Sequence, residues 1–296
     1  DFIKRSTGEK VFNVVNIVIM LILLCLFLFP VFNVVSISLS DDKAVLAAEV
    51  TFYPIGYNPQ AYTAIFGNTD LWRAAFNSFY VAIIGCVLGL IGTCVAAYPM
   101  AYGNFYGKKL YVIIIMFTMW FNAGIVPLFL TIRQLGLYDS LWALILNSMI
   151  TAYNVVIIRS YFSSIPFSVI ESARIDGATD YRILFQLVIP LSKPVLATVA
   201  LWLIVGHWND YLNPLVLIHS QEHKTLQLFL KELVLNAETS TSNLASVNDA
   251  TNKGVAALSQ QLKNGVLVVS MVPMLVLYPF LQKFFVSGVM LGSVKG

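Results

Sequence analysis

Charge is scarce in this sequence. Asp, Glu, Lys and Arg make up 11% of the 296 residues, against about 25% in an ordinary soluble domain. That shortage excludes a chain whose surface faces water over most of its area. The net charge of +3 is spread along the whole length, so no basic patch argues for nucleic acid. Cysteine is scarce too. Cys25, Cys86 and Cys94 all fall inside apolar runs; an odd, buried set makes no disulfide framework and reads as small packing residues. A phosphate-binding loop is also missing. GNFYGKKL at 103–110 is one residue short of the required spacing and has no Ser or Thr after its lysines. No ATP site is therefore expected within this chain, and energy must come from a partner or an ion gradient. Repeats and carboxylates in the middle of apolar runs, the marks of an ion-coupled carrier, are absent as well.

What the sequence has is apolar length. Hydrophobic residues account for 58% and the mean hydropathy is +0.78. A bilayer crossing takes roughly 20 apolar residues in a helix, and six stretches qualify: 11–38, 74–98, 110–131, 141–162, 195–217 and 265–286. The expected fold is all-α, a single polytopic membrane domain over 1–296 with six transmembrane helices. The first stretch is too long for a signal peptide and has no small-residue cleavage site, so it reads as an anchor helix kinked at Pro30. Pro127, Pro273 and Pro279 fall in later spans, where neighbouring helices can satisfy the freed backbone groups. Gly85, Gly89 and Gly92 give the second span a small-residue face, useful to any helix bundle.

Placing both termini in the cytoplasm puts most of the 18 Lys and Arg on inner segments, among them Lys4, Arg5, Lys108, Lys109, Arg174 and Arg182, as the positive-inside bias favours. The outer segments are then 39–73, rich in turn residues, and 218–264. In the latter, KTLQLFLKELVL at 224–235 suits a helix, and NAETSTSNLASVNDATNKG at 236–254 reads as loop.

One inner segment, 163–191, is densely charged. ESARIDGATDYRILFQLVIP at 171–190 carries Glu171, Arg174, Asp176, Asp180 and Arg182. Pro166 suits a first helical turn, Gly177 a helix end with positive φ, and Thr179 or Asp180 the cap of a second helix stopped by Pro190 and Pro194. A helix–Gly–helix elbow is expected, with Ala173 and Ala178 at the bend. Read plainly, such an elbow is an amphipathic linker on the membrane surface.

The spacing also resembles the EAA motif of ABC-importer permeases: Glu-Ala-Ala, three residues, Gly, nine residues, Ile-x-Leu-Pro. Glu171, Ser172, Ala173, Gly177, Leu187, Ile189 and Pro190 stand at the matching offsets, with Ser172, Leu187 and Ile189 as mild departures. Asp176-Gly177-Ala178 and PLSKP at 190–194 resemble the carbohydrate branch. GIVPLFLTIRQLGLYDSLWALIL (124–146), GHWNDYLNPL (206–215) and GVMLGSVKG (288–296) are similar to permeases of the oligosaccharide importers related to the maltose and alginate systems. The resemblance implies coupling helices at 163–191 that seat on a pair of ATPase subunits, with ATP and Mg bound there. It further implies a second permease, an extracytoplasmic sugar-binding protein docking on the long outer loop, an oligosaccharide substrate and the bacterial cytoplasmic (inner) membrane. A non-sugar solute is the alternative within importers; an ion-coupled transporter is the alternative outside them.

Two further motifs have competing readings. HSQEH at 219–223 spells the H-x-x-E-H pattern of some metalloproteases, yet the chain's only other histidine is His207 and no third ligand is evident, so interfacial loop chemistry is the preferred explanation. In GHWND at 206–210, His207, Trp208, Asn209 and nearby Tyr211 fit a sugar pathway, as polar residues at such depth face cavities. They equally fit a helix end in the interfacial aromatic belt. Trp120, Asn122, Asn147, Tyr153 and Asn154 are further pathway candidates.

Overall fold

Long runs of Leu, Ile, Val and Phe without water-seeking neighbours leave the backbone one economical choice in lipid, the α-helix, whose polar groups pair within the segment. The computed structural model describes residues 7–121, 123–244, 258, 260–276 and 279. Among them the chain is helical, with no strand beyond one antiparallel bridge between Ser40 and Tyr57. Helix α1 (Thr7–Ser38) runs unbroken through Pro30. Short helices α2 (Asp42–Leu46) and α3 (Gln60–Gly67) follow, then α4 (Thr69–Tyr102), the longest helix at 34 residues. Of these, α1 and α4 are each long and apolar enough to cross a bilayer, and three bent helix pairs raise the count to five among the described residues.

Two of the bent pairs, and a break after Asn209, divide three of the expected spans. The 110–131 span is two helices, α5 (Lys108–Trp120) and α6 (Ile125–Gln134). Pro127 has no N–H for the carbonyl four residues back, and Gly124, with φ +86°, lets the chain restart a helix just before it. The 141–162 span is α7 (Leu141–Asn147) and α8 (Ala152–Phe162), bent by 49°. Ser140 and Thr151 cap these helices, their hydroxyls accepting from the N–H groups of Trp142 and Asn154. The 195–217 span divides into α12 (Lys193–Asn209) and α13 (Leu212–Leu217), described with their neighbours below. The last span is helical over 260–276; its remainder, and the 288–296 tail, lie outside the described residues. In the 218–264 segment, helix α14 (Leu226–Leu244) continues past residue 235. No Gly or Pro interrupts 236–244, so the helix extends through a stretch expected to be loop, and 245–254 lies outside the described residues.

The chain divides into two compact units, one of residues 1–68 with 232–271, the other of 69–231 with 272–296. In the first, buried Gln261 donates from Nε2 to the Ser40 carbonyl and to Asp42 Oδ1, both at 2.8 Å. In the second, α4 is the central mast. Its Cys94, Ala97, Tyr98 and Met100 pack with Val155, Ile158 and Phe162 of α8 and with Val199 and Leu203 of α12. Nearer its start, Val81 joins Ile132, Ala143, Leu144, Ile145, Leu217 and Leu228. The small-residue face of α4 allows this approach: a Cβ on Gly85 would lie 2.5 Å from His207 Nε2, and one on Gly89 3.0 Å from the Met149 carbonyl.

Candidate functional site

The charged insert folds as a helix–turn–helix elbow. Helix α9 (Phe167–Ile175) starts directly after Pro166. It ends in a Schellman turn: Gly177 at φ +79°, its N–H bonded to the Arg174 carbonyl, and the Ala178 N–H to the Ala173 carbonyl, both at 3.0 Å. Thr179 then occupies the cap position of α10 (Asp180–Ile183). The second arm is not stopped by Pro190. A π-helical turn over Leu184–Val188 leads into α11 (Ile189–Leu191), which contains Pro190. Widening to i→i+5 pairing makes room for the proline ring and its missing N–H. The chain then bends by 85° into α12.

One side of the elbow is fully buried. Ile170, Ile183, Leu184 and Val188 enter the core with Tyr98, Tyr102 and Phe162. Two tyrosines of α4 fasten the elbow and the end of α8 that leads into it. The Tyr98 hydroxyl donates to Asp180 Oδ1 at 3.0 Å, and Tyr102 donates to the Phe162 carbonyl. Arg174 Nη2 donates to the same Asp180 oxygen at 3.1 Å, closing the arms on each other; this bond holds the guanidinium pKa above its usual value. The other side is open. Glu171, Ser172, Asp176 and Gly177 are exposed, flanked by Ile175 at 81% and Tyr181 at 76% exposure. Ala173, Ala178, Leu187 and Ile189 pack partly buried behind them.

A second feature lies along the membrane helices. Ser148, Thr151, Tyr153, Asn154, Trp202, Gly206, His207, Asn209, Asp210 and Asn213 line a cavity of about 550 Å³. Of the sequence candidates, His207, Asn209, Tyr153 and Asn154 are brought together here. Trp208 is not among them: it is 3% exposed and meets Phe79 of α4 edge-on at 5.0 Å. Tyr211 lies beneath the Lys231 ammonium, 4.1 Å from its ring centre. Trp120, the last residue of α5, is 86% exposed, and Asn122 lies outside the described residues. Asn147 lines a neighbouring cavity of about 580 Å³ that shares Asn213 with the first. Sequence reasoning missed Trp202, although 202, 206 and 209 recur at the i, i+4, i+7 spacing of one helix face, which 208 does not share.

The HSQEH segment has no metal geometry. Gln221–His223 is a single 3₁₀ turn, not the helix that would put both histidines on one face, and no cluster of three metal-ligating side chains occurs among the described residues. Its role is a tie. Asp139, itself at φ +60°, accepts at Oδ1 from the N–H groups of His219 (2.8 Å) and Ser220 (2.9 Å) and from the Ser220 hydroxyl. Although partial burial works against it, these bonds hold the Asp139 carboxyl below the usual carboxylate range.

Comparison with known proteins agrees with this architecture. Residues 85–245 match the family described as binding-protein-dependent transport system inner membrane component. The polygalacturonan/rhamnogalacturonan transport system permease protein YtcP of Bacillus subtilis (strain 168) is 32% identical over 94% of this chain and 95% of its own. The arabinooligosaccharides transport system permease protein AraQ of the same organism is 26% identical, with 99% and 100% covered. A chain from the crystal structure of a bacterial ABC transporter involved in import of the acidic polysaccharide alginate superposes with a TM-score of 0.84 and 32% identity, over 95% of this chain and 99% of that one. These relatives are permease subunits, not enzymes. A family match over more than half the chain and a relative aligned almost end to end establish that this protein belongs to the binding-protein-dependent inner membrane components, the permease subunits of ABC transporters.

Proposed function

We propose that this chain forms half of the transmembrane pathway of an ATP-driven oligosaccharide importer and receives the ATPase stroke through the α9–α10 elbow. The observation that carries the reading is the two-sidedness of that elbow. Its back is locked into the helix core by Ile170, Ile183 and the Tyr98–Asp180 bond, so force on it reaches α4 and α12. Its front offers a carboxylate, Glu171, between two exposed apolar side chains, Ile175 and Tyr181. A buried apolar anchor with a charge beside it is what a docking groove on another protein recognises. ATP and Mg belong on that partner, a dimer of ATPase subunits. A second permease completes the pathway, and an extracytoplasmic binding protein delivers the sugar to the outer segments. Sugar as cargo is supported by the substrates for which the relatives are named, polygalacturonan and arabinooligosaccharides.

The test is purification in mild detergent with the co-encoded subunits, followed by uptake assays on Glu171→Lys and Gly177→Val. Both variants should reach the membrane and lose transport, and Glu171→Lys should release the ATPase. Gly177 stands at a φ that side-chained residues rarely adopt, so valine there disrupts the bend itself. Normal uptake by both variants would remove the elbow from the mechanism.

A further inference from the structure

The substrates for which the relatives are named divide by charge: polygalacturonan and alginate are polyanions, arabinooligosaccharides are neutral. The cavity beside α12 bears on that division. Among the described residues, Asp210 is the one carboxylate that lines it, and neither Lys nor Arg does. The adjoining cavity that shares Asn213 is lined by no charged side chain among the described residues. A uronate entering this space would meet the Asp210 carboxylate and no Lys or Arg among the described residues of this chain, whereas an uncharged sugar would meet acceptors and amides.

The wall also carries an aromatic platform. Tyr153 and Trp202 lie with ring centres 5.7 Å apart at an interplanar angle of 37°, and they keep 52% and 39% of their surface exposed. Such rings offer a flat apolar face to the C–H side of a pyranose or furanose. Around them stand Asn154, Asn209 and Asp210. Asp210 is held in place by Asn213, which donates its backbone N–H to Oδ1 (3.1 Å) and its amide to Oδ2 (2.7 Å). Each carboxylate oxygen retains capacity for a further donor, and a charge-assisted bond from a sugar hydroxyl suits that position.

Resting on the importer reading, we propose that this cavity is a binding site for an uncharged sugar unit, stacked on Trp202 and Tyr153 and hydrogen-bonded by Asp210 and Asn209. The protein therefore carries neutral oligosaccharides and not oligouronides.

The test uses the assembled importer in cells, with uptake followed by mass spectrometry. The probes are arabino-, galacto-, xylo-, manno- and gluco-tetraoses, set against trigalacturonate. The wild type should take up at least one neutral sugar and leave trigalacturonate at background. Trp202→Ala should lower that uptake about tenfold, the scale of one lost aromatic contact. Trp202→Tyr should keep most of it, and both variants should retain the ATPase and second permease on purification. Trigalacturonate uptake by the wild type, uptake of none of the neutral sugars, or full uptake by Trp202→Ala would each overturn the proposal. So would selective loss of the second permease from Trp202→Ala, which would make the aromatic pair an interface. Trigalacturonate uptake leaves the ATP-driven importer standing; a wild-type chain that purifies without any ATPase removes both readings.

Discussion

The two ends of α4 are fastened in different ways. At the end near Thr69, short side chains bind main chain. Asn77 Nδ2 donates to the carbonyls of Glu222 (2.8 Å) and Lys224 (2.9 Å), and the Leu226 N–H donates to Ser78 Oγ (2.8 Å). Asp139 secures the same segment from the other side through His219 and Ser220. Asn77 and Ser78 are buried, so opening these bonds leaves polar groups with nothing to pair. At the end near Tyr102, long phenols reach out, and the Tyr98 bond ends on Asp180, a carboxylate that is 63% exposed and shared with Arg174. Water can replace that partner. One end is therefore a fixed seat for the 217–226 segment, and the other includes a bond whose carboxylate partner water can reach.

Asn77→Ala should break the fixed end most severely. It removes the amide that ties the Glu222 and Lys224 carbonyls to α4, a loss of about 1–3 kcal/mol on the usual scale, read as a lower melting temperature of the purified complex. Asp139 gives the same end a pH dependence. Its pKa is lowered in the folded protein by the His219 and Ser220 bonds. Its contribution is accordingly complete above the unfolded carboxylate value, near about 3.9, and is lost as the pH falls through the lower folded value. A melting curve recorded from neutral pH into that acid range should steepen for the wild type and flatten for Asp139→Asn. Asparagine keeps an acceptor oxygen and tolerates positive φ, so its cost at neutral pH should be small. Equal acid sensitivity in both proteins would place the pH response elsewhere.

The contrast between the ends was largely invisible in the sequence, and the reason is separation. Asn77 and Glu222 are 145 positions apart, and Tyr98 and Asp180 are 82; no local pattern links them. Local punctuation was legible. Gly177 and the cap at Thr179 marked the elbow because a positive φ and a helix start are written in neighbouring residues. Hydropathy located apolar length at 11–38 and 74–98 well. It could not separate unbroken spans from ones broken at 121–124, 148–151 and 210–211, since an apolar residue scores alike on either side of a break. Pro190 misled for a related reason: a π-turn absorbs it, and that choice is made by packing of Leu184 and Val188. Within GHWND, polarity pointed to the right neighbourhood. Helical phase decided the members, setting Trp208 against Phe79 and Trp202 on the cavity.

Tyr98→Phe sharpens the comparison with the smallest change. It removes one hydroxyl and keeps the ring that packs in the core with Phe162, so the folded state should lose only about 1 kcal/mol. Asp180 keeps Arg174 and gains water, which is why the loss stays small. If the Tyr98–Asp180 bond transmits motion between the elbow and α4, the variant should melt within a few degrees of wild type, hydrolyse ATP at a normal basal rate and transport less sugar per ATP. Asp180→Asn, which retains an acceptor for the phenol but loses the pairing with Arg174, separates the two halves of the clasp. Transport preserved in Asp180→Asn and lost in Tyr98→Phe would assign the stroke to the phenol. The reverse would assign it to the ion pair, and unchanged transport in both would leave the elbow's grip on α4 to Ile170 and Ile183, through packing alone.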